Sequence, residues 1–132
     1  MTIRYVKVKR PDTDEIKQLI GMFCEETGGG QEALDNILLR LPNMKVCIAL
    51  EGVNTVGIGG YYTIGDKAIF DFTYVLEPYR NRGAWGRIHA MGVKDARSLG
   101  MKKSVIFVAP IRAKHFLKLG YKEVFHVLER QL

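Results

Sequence analysis

The chain has 132 residues, 47% of them hydrophobic and 26% charged, which suits one domain around a single core and is too short for two ordinary ones. No apolar run approaches the roughly 20 residues of a membrane span. Cys24 and Cys47 show neither Cys-x-x-Cys spacing nor a neighbouring histidine, so reduced, buried thiols are expected rather than a disulfide or a metal site. The net charge of +6 is uneven: residues 1–76 hold 8 basic and 10 acidic side chains, and residues 77–132 hold 12 and 4. A positive field confined to the second half suits nucleic acid, an acidic surface or a small polyanion.

Ile3, Tyr5, Val6 and Val8 alternate as a first strand, closed by Pro11. This start lacks the uninterrupted apolar core of a signal peptide, and a cytoplasmic protein is expected. Asp12 and Thr13 are capping residues ahead of Ile16, Leu19, Ile20 and Phe23, which recur at helical spacing. Gly28-Gly29-Gly30 ends that helix. A second follows with Ala33, Leu34, Ile37, Leu38 and Leu41 on one face and Pro42 as its stop. Val46–Leu50, Thr55–Thr63 and Ala68–Leu76 read as three strands joined by tight turns, hence antiparallel neighbours. A helical pattern from Arg87 to Leu99 is stopped by Gly100 and leads to a fifth strand, Ser104–Val108, placed parallel by the helical crossover. Pro110 opens a short helix, Ile111–Leu119, which Gly120 ends. Tyr121–Leu128 is a last strand. The predicted class is α/β (α+β) with a mixed central sheet in the order β-α-α-β-β-β-α-β-α-β.

Residues 75–88 carry the most chemistry. Between the strand Ala68–Leu76 and the helix Arg87–Leu99 stand Arg80, Arg82, Gly83, Gly86 and Arg87. The first amide N–H groups of a helix lack intrahelical partners and point into the preceding turn. Glycines let that backbone come close to a ligand, and the arginines add charge, so the turn suits a phosphate or pyrophosphate. A plain solvated turn is the competing reading. The Gly-Lys-Ser/Thr ending of a nucleotide P-loop is absent, and the three-glycine spacing of the dinucleotide fingerprint is not met.

The element order and the run Arg80-Asn81-Arg82-Gly83, preceded by Val75 and Tyr79, resemble the GNAT superfamily of acyl-CoA-dependent N-acyltransferases. That family's turn reads Arg/Gln-x-x-Gly-x-Gly/Ala. Here Trp85 holds the second small position and Gly86 comes one residue later. Phe116-Leu117-Lys118-Leu119-Gly120-Tyr121 resembles the family's Tyr-x-x-x-Gly-Phe, with Phe116 in place of the tyrosine. An asparagine of that segment is also missing. The eroded motifs are similar to those of small bacteriophage proteins of this family. The resemblance covers nearly the whole chain in element order and implies one acyltransferase domain over residues 1–132.

The resemblance implies acetyl-CoA (coenzyme A) as co-substrate, bound along Val75, Arg80, Asn81, Arg82, Gly83, Ala84, Trp85 and Gly86, with no metal. It also implies that Phe72–Val75 and Ile106–Ala109 part to admit the pantetheine arm, and that a backbone N–H near Val75 meets the oxyanion. Asp71, a charge inside an apolar strand, is the candidate general base, with Glu77 second. Pairing of Asp71 with an arginine, or a wet strand face, competes with that role. For Glu77 the competing reading is solvent exposure. The implied acceptor is a small-molecule or protein amine, reached through the two N-terminal helices and the hairpins of residues 52–65. A homodimer is compatible; membrane partners are not expected, and nucleic acid, which would use Trp85, Tyr79 and Tyr121 for stacking, is disfavoured. The alternative is a non-catalytic binding or virion-associated protein that keeps the fold. His89, His115 and His126 are too far apart in sequence to suggest a metal site. His115, beside Phe116, is an alternative proton donor or a partly buried structural residue.

Overall fold

A computed structural model describes residues 2–107, 110–124 and 130–131, with residues 110–113 as backbone only. Strand β1 (Ile3–Val8) leads to helices α1 (Asp14–Glu26) and α2 (Gly30–Arg40), then to strands β2 (Lys45–Glu51), β3 (Asn54–Ile64) and β4 (Lys67–Val75). Helix α3 (Ala84–Ser98), strand β5 (Lys103–Ile106) and helix α4 (Pro110–Lys118) complete the described order. The sheet runs β1-β2-β3-β4-β5; its first four strands are antiparallel neighbours, and β5 lies parallel to β4. This is the mixed sheet expected from the sequence. Of the last strand expected, Tyr121–Leu128, residues 121–124 are not in a strand, and the remainder lies outside the described residues.

Helix α1 starts where the capping residue predicts, with the Thr13 hydroxyl accepting from the Ile16 N–H at 3.4 Å. Helices α1 and α2 cover one face of the sheet, burying Ile16, Leu19, Ile20 and Ile37 against Val46, Ile58, Phe72 and Tyr74. Helix α3 covers the opposite face, with Ala84 and Ile88 against Cys47, Ala49, Val56 and Val75. The close seat of α3 depends on β3 being bare there: a Cβ on Gly59 would lie 2.5 Å from the Ile88 Cγ2. Cys24 and Cys47 are free and buried, and burial raises the Cys47 thiol to about 11.

Two irregularities shape the site. First, the register between β3 and β4 slips, with Gly60 opposite Phe72 but Tyr61 opposite Phe70. Asp71 is therefore the extra residue of a β-bulge. Bulges re-aim side chains, and here Phe70 packs with Tyr61 and Ala96 while Phe72 packs with the α1 side. Second, β4 and β5 pair only from Lys67↔Lys103 to Phe70↔Ile106. Beyond that point β4 runs on to Val75, still paired with β3, with no strand on its other edge among the described residues.

Candidate active site

The parting of β4 from β5 opens a cleft of about 510 Å³ that reaches both faces of the sheet. From the α1 face it is lined by Phe23, Glu26 and Thr27, from the bulge by Asp71 and Phe72, and from the α3 and α4 side by Trp85, His89 and Phe116. The hairpins of residues 52–65 line none of it.

The open edge of β4 presents ordered backbone groups. The Leu76 N–H donates to the Val56 carbonyl of β3 at 2.9 Å. In an extended strand, successive residues direct their N–H and C=O groups to opposite sides, so Val75, and Thr73 two residues before it, turn theirs toward the gap. Their carbonyls accept from the Arg80 Nε at 2.8 Å and the Trp85 Nε1 at 3.3 Å. Their N–H groups point away from β3, and Thr73 lines the cleft.

The turn after β4 has the predicted backbone. Gly83 caps α3 in the left-handed region at φ 83°, and Asn81 is left-handed at φ 63°. No side chain caps the helix, and the first intrahelical bond runs from the Arg87 N–H to the Gly83 carbonyl. Helix α3 begins at Ala84, three residues before the sequence pattern suggests, so Ala84, Trp85 and Gly86 form its first turn with their N–H groups directed outward.

The arginines behave differently from expectation. Arg80 is not a free cation. Its guanidinium pairs with both carboxylate oxygens of Glu26, at 2.7 and 2.8 Å, and lies over the Tyr74 ring. Arg87 lies over the Tyr5 ring of β1, away from the turn. Both stacking partners are electron-rich ring faces that attract a guanidinium. Asn81, Arg82 and Gly83 are exposed at the turn itself. Trp85 also departs from its expected place: its indole points into the gap, stacks on His89 with ring centres 5.3 Å apart, and meets Phe116 edge-on.

Asp71 is held by Arg40 of α2. The Arg40 Nε and Nη2 both donate to Asp71 Oδ2, at 2.9 and 2.7 Å. Among the described residues nothing donates to Oδ1. The arginine pairing is present, and the carboxylate still lines the cleft. Glu77 is exposed in a 3-10 turn of residues 77–79 and does not line the cleft, so the structure does not bring it to Asp71.

The sequence reading named His89 and Tyr121 but did not join them to each other or to Ser104. His89 is buried, and its Nε2 lies 2.9 Å from the Tyr121 hydroxyl, which is hydrogen-bonded in turn to the Ser104 hydroxyl. Burial, and then the charge of nearby His115, hold His89 below the ordinary histidine range. Burial pushes Tyr121 up, against an opposing contribution from Ser104. The usable signal was His89 on the apolar face of a helix, next to Ile88 and four residues after Trp85. His115 is exposed and sets its ring edge-on to Trp85 and Phe116. His126 lies outside the described residues.

No protein-family model and no curated protein matches the sequence. Solved structures do match along almost the whole chain. An acetyltransferase from Clostridium acetobutylicum, assigned as such by prediction and solved with acetyl-CoA, has a TM-score of 0.79 at 14% identity, over 98% of this chain and 96% of its own. An aminoglycoside acetyltransferase from an uncultured soil sample, solved with sisomicin, has a TM-score of 0.75 at 14% identity, over 98% and 96%. Glucosamine-6-phosphate N-acetyltransferase from Arabidopsis thaliana has a TM-score of 0.71 at 12% identity, over 99% of each chain. With the bulged fourth strand, the parted fifth and the glycine turn between strand and helix, this chain has the fold of the GNAT acyltransferases.

Proposed function

We propose that the 132 residues form one acyltransferase domain that moves an acyl group, acetyl in the first instance, from coenzyme A to a primary amine. The observation that carries this reading is the gap at the end of β5. It exposes the edge of β4 to a cleft lined from both sheet faces, which suits two substrates that approach from opposite sides. The pyrophosphate of the donor sits against the backbone N–H groups of Arg82 to Gly86. Its pantetheine amides pair with the edge of β4, and the N–H of Val75 receives the oxyanion of the tetrahedral intermediate. The amine arrives from the α1 side, where Asp71 Oδ1 takes the proton of the incoming ammonium. Several neighbours of this fold are named for acting on small amines, which supports a small-molecule acceptor.

Trp85 makes the reading easy to test, because it is the chain's single tryptophan and stands in the cleft. A pantetheine arm on the edge of β4 must displace the indole from the Thr73 carbonyl. Acetyl-CoA is therefore expected to change the intrinsic fluorescence in a saturable way, and thiol release is expected with at least one member of an amine panel. The indole already on that carbonyl is what favours the second reading, a non-catalytic relative. Saturable binding with no turnover on any amine selects it, and absence of binding rejects both.

A further inference from the structure

Phe116 stands where the resemblance calls for a hydroxyl, and a phenyl ring has no proton to exchange. The cleft nevertheless contains a titratable group beside that ring. His89 and Phe116 both line it, with ring centres 6.4 Å apart. Among the described residues His89 is the only buried polar or charged side chain. Its Nε2 is anchored on the Tyr121 hydroxyl at 2.9 Å, and that hydroxyl is backed by Ser104 of β5. Its Nδ1 makes no hydrogen bond among the described residues. The ring is clamped between Trp85, at 5.3 Å, and Phe70, at 4.8 Å.

On the reading proposed above, we infer that His89 carries the proton from the attacking nitrogen to the departing sulfur, with Tyr121 and Ser104 as positioning residues. The neutral amine attacks the thioester carbonyl, forming the C–N bond and a zwitterionic intermediate. Its nitrogen gives one proton to His89 Nδ1. The C–S bond then breaks, the sulfur takes the bonding pair, and His89 returns that proton to it. An amide and a thiol leave, and the histidine is neutral again, so no further reactant is needed. The hydroxyl pair suits this cycle. When Nε2–H donates to the Tyr121 oxygen, and Tyr121 donates to Ser104, Nδ1 holds a free lone pair. Protonation at Nδ1 then leaves that chain unchanged. This role is distinct from that of Asp71, which strips the ammonium before attack.

The groups facing His89 are Tyr121, Ser104 of β5 and His115 of α4, Lys45 and Cys47 of β2 and Tyr61 of β3 around a small cavity, and Glu26 and Asp71 across the cleft, with Phe70 and Thr73 of β4 contributing no charge. His89 must be neutral to accept, so kcat is expected to fall on an acid limb set below the ordinary histidine range. The test measures kcat, KM for acetyl-CoA and their pH profiles in the parent, in His89→Gln and in Tyr121→Phe, with thermal melts as a folding control. His89→Gln is expected to lose about 10²-fold in kcat and the acid limb, with KM for acetyl-CoA little changed. Tyr121→Phe removes one oxygen that accepts from the imidazolium, and is expected to move the limb to lower pH. A folded His89→Gln with parental kcat and limb, or a Tyr121→Phe limb that stays in place, overturns the inference. A parent without turnover on any amine overturns the acyltransferase reading and this inference together.

Discussion

Asp71 illustrates how a residue can be noticed in a sequence while its partner and its backbone setting stay hidden. A charge among Phe70, Phe72 and Tyr74 invites a catalytic role. What the sequence conceals is that Asp71 is the extra residue of a bulge and that Arg40, 31 positions earlier, holds its Oδ2. The guanidinium orients the carboxylate and leaves Oδ1 for the cleft. Asp71→Asn keeps the shape and removes the charge; it is expected to lower turnover by about 10²-fold while leaving acetyl-CoA affinity unchanged. A thiol-release assay beside a fluorescence titration reads both. An active variant removes Asp71 from the reaction, and the exposed Glu77 does not replace it in the cleft.

The turn between β4 and α3 acts as a unit. Its backbone is legible in the sequence because Gly83 at φ 83° occupies a conformation that glycine adopts without penalty. The arginine charges were misleading, since Arg80 is a clamp: it ties the C-terminal end of α1, through Glu26, to the Val75 carbonyl. Gly83→Val meets no neighbour within 4 Å, so its cost is backbone strain, about 1–3 kcal/mol for a left-handed residue, not steric overlap. It is expected to weaken acetyl-CoA binding by roughly tenfold or more, since 1.4 kcal/mol is a factor of ten. Arg80→Ala keeps the turn amides. It is expected to weaken binding less while lowering the melting midpoint, because the ion pair with Glu26 and the stacking on Tyr74 are lost. Calorimetry and thermal melts on the two variants test the order, and a larger binding loss in Arg80→Ala reverses it.

Across the whole molecule, one buried and one half-buried group set the response to acid. Asp95 of α3 accepts from the Tyr61 hydroxyl at 2.6 Å and pairs with Lys7 of β1, joining three elements. Burial alone would raise its carboxyl, but the hydrogen bonds from Lys7 and Tyr61 and the charges of Lys7 and Lys45 hold it below the usual range. A depressed carboxylate stabilises the fold above its unfolded value, about 3.9, and that stability is lost as pH falls through the folded value. His89, also depressed, favours the fold while neutral; its contribution is lost as pH falls from about 6.5 toward its folded value. Stability is therefore expected to decline in two stages on acidification. Urea melts from pH 8 to pH 3 are expected to show both. Asp95→Asn removes the lower stage and His89→Gln the upper. A parent curve flat from pH 7 to pH 5 contradicts the assignment to His89.

The sequence by itself determined the element order as far as α4, the antiparallel run of β2, β3 and β4, the parallel crossover into β5 and the glycine turn. These follow from local periodicity, capping and short connections, which act over a few residues. Tertiary structure alone decided that Asp71 is bulged and bound to Arg40, that Arg80 joins Glu26 of α1 to the Val75 carbonyl, and that Trp85 fills the gap. It also joined His89, Tyr121 and Ser104. Each of those pairs groups that are distant along the chain, or depends on which side of a strand or helix a side chain leaves. A one-residue register slip reverses that side without any trace in composition or spacing.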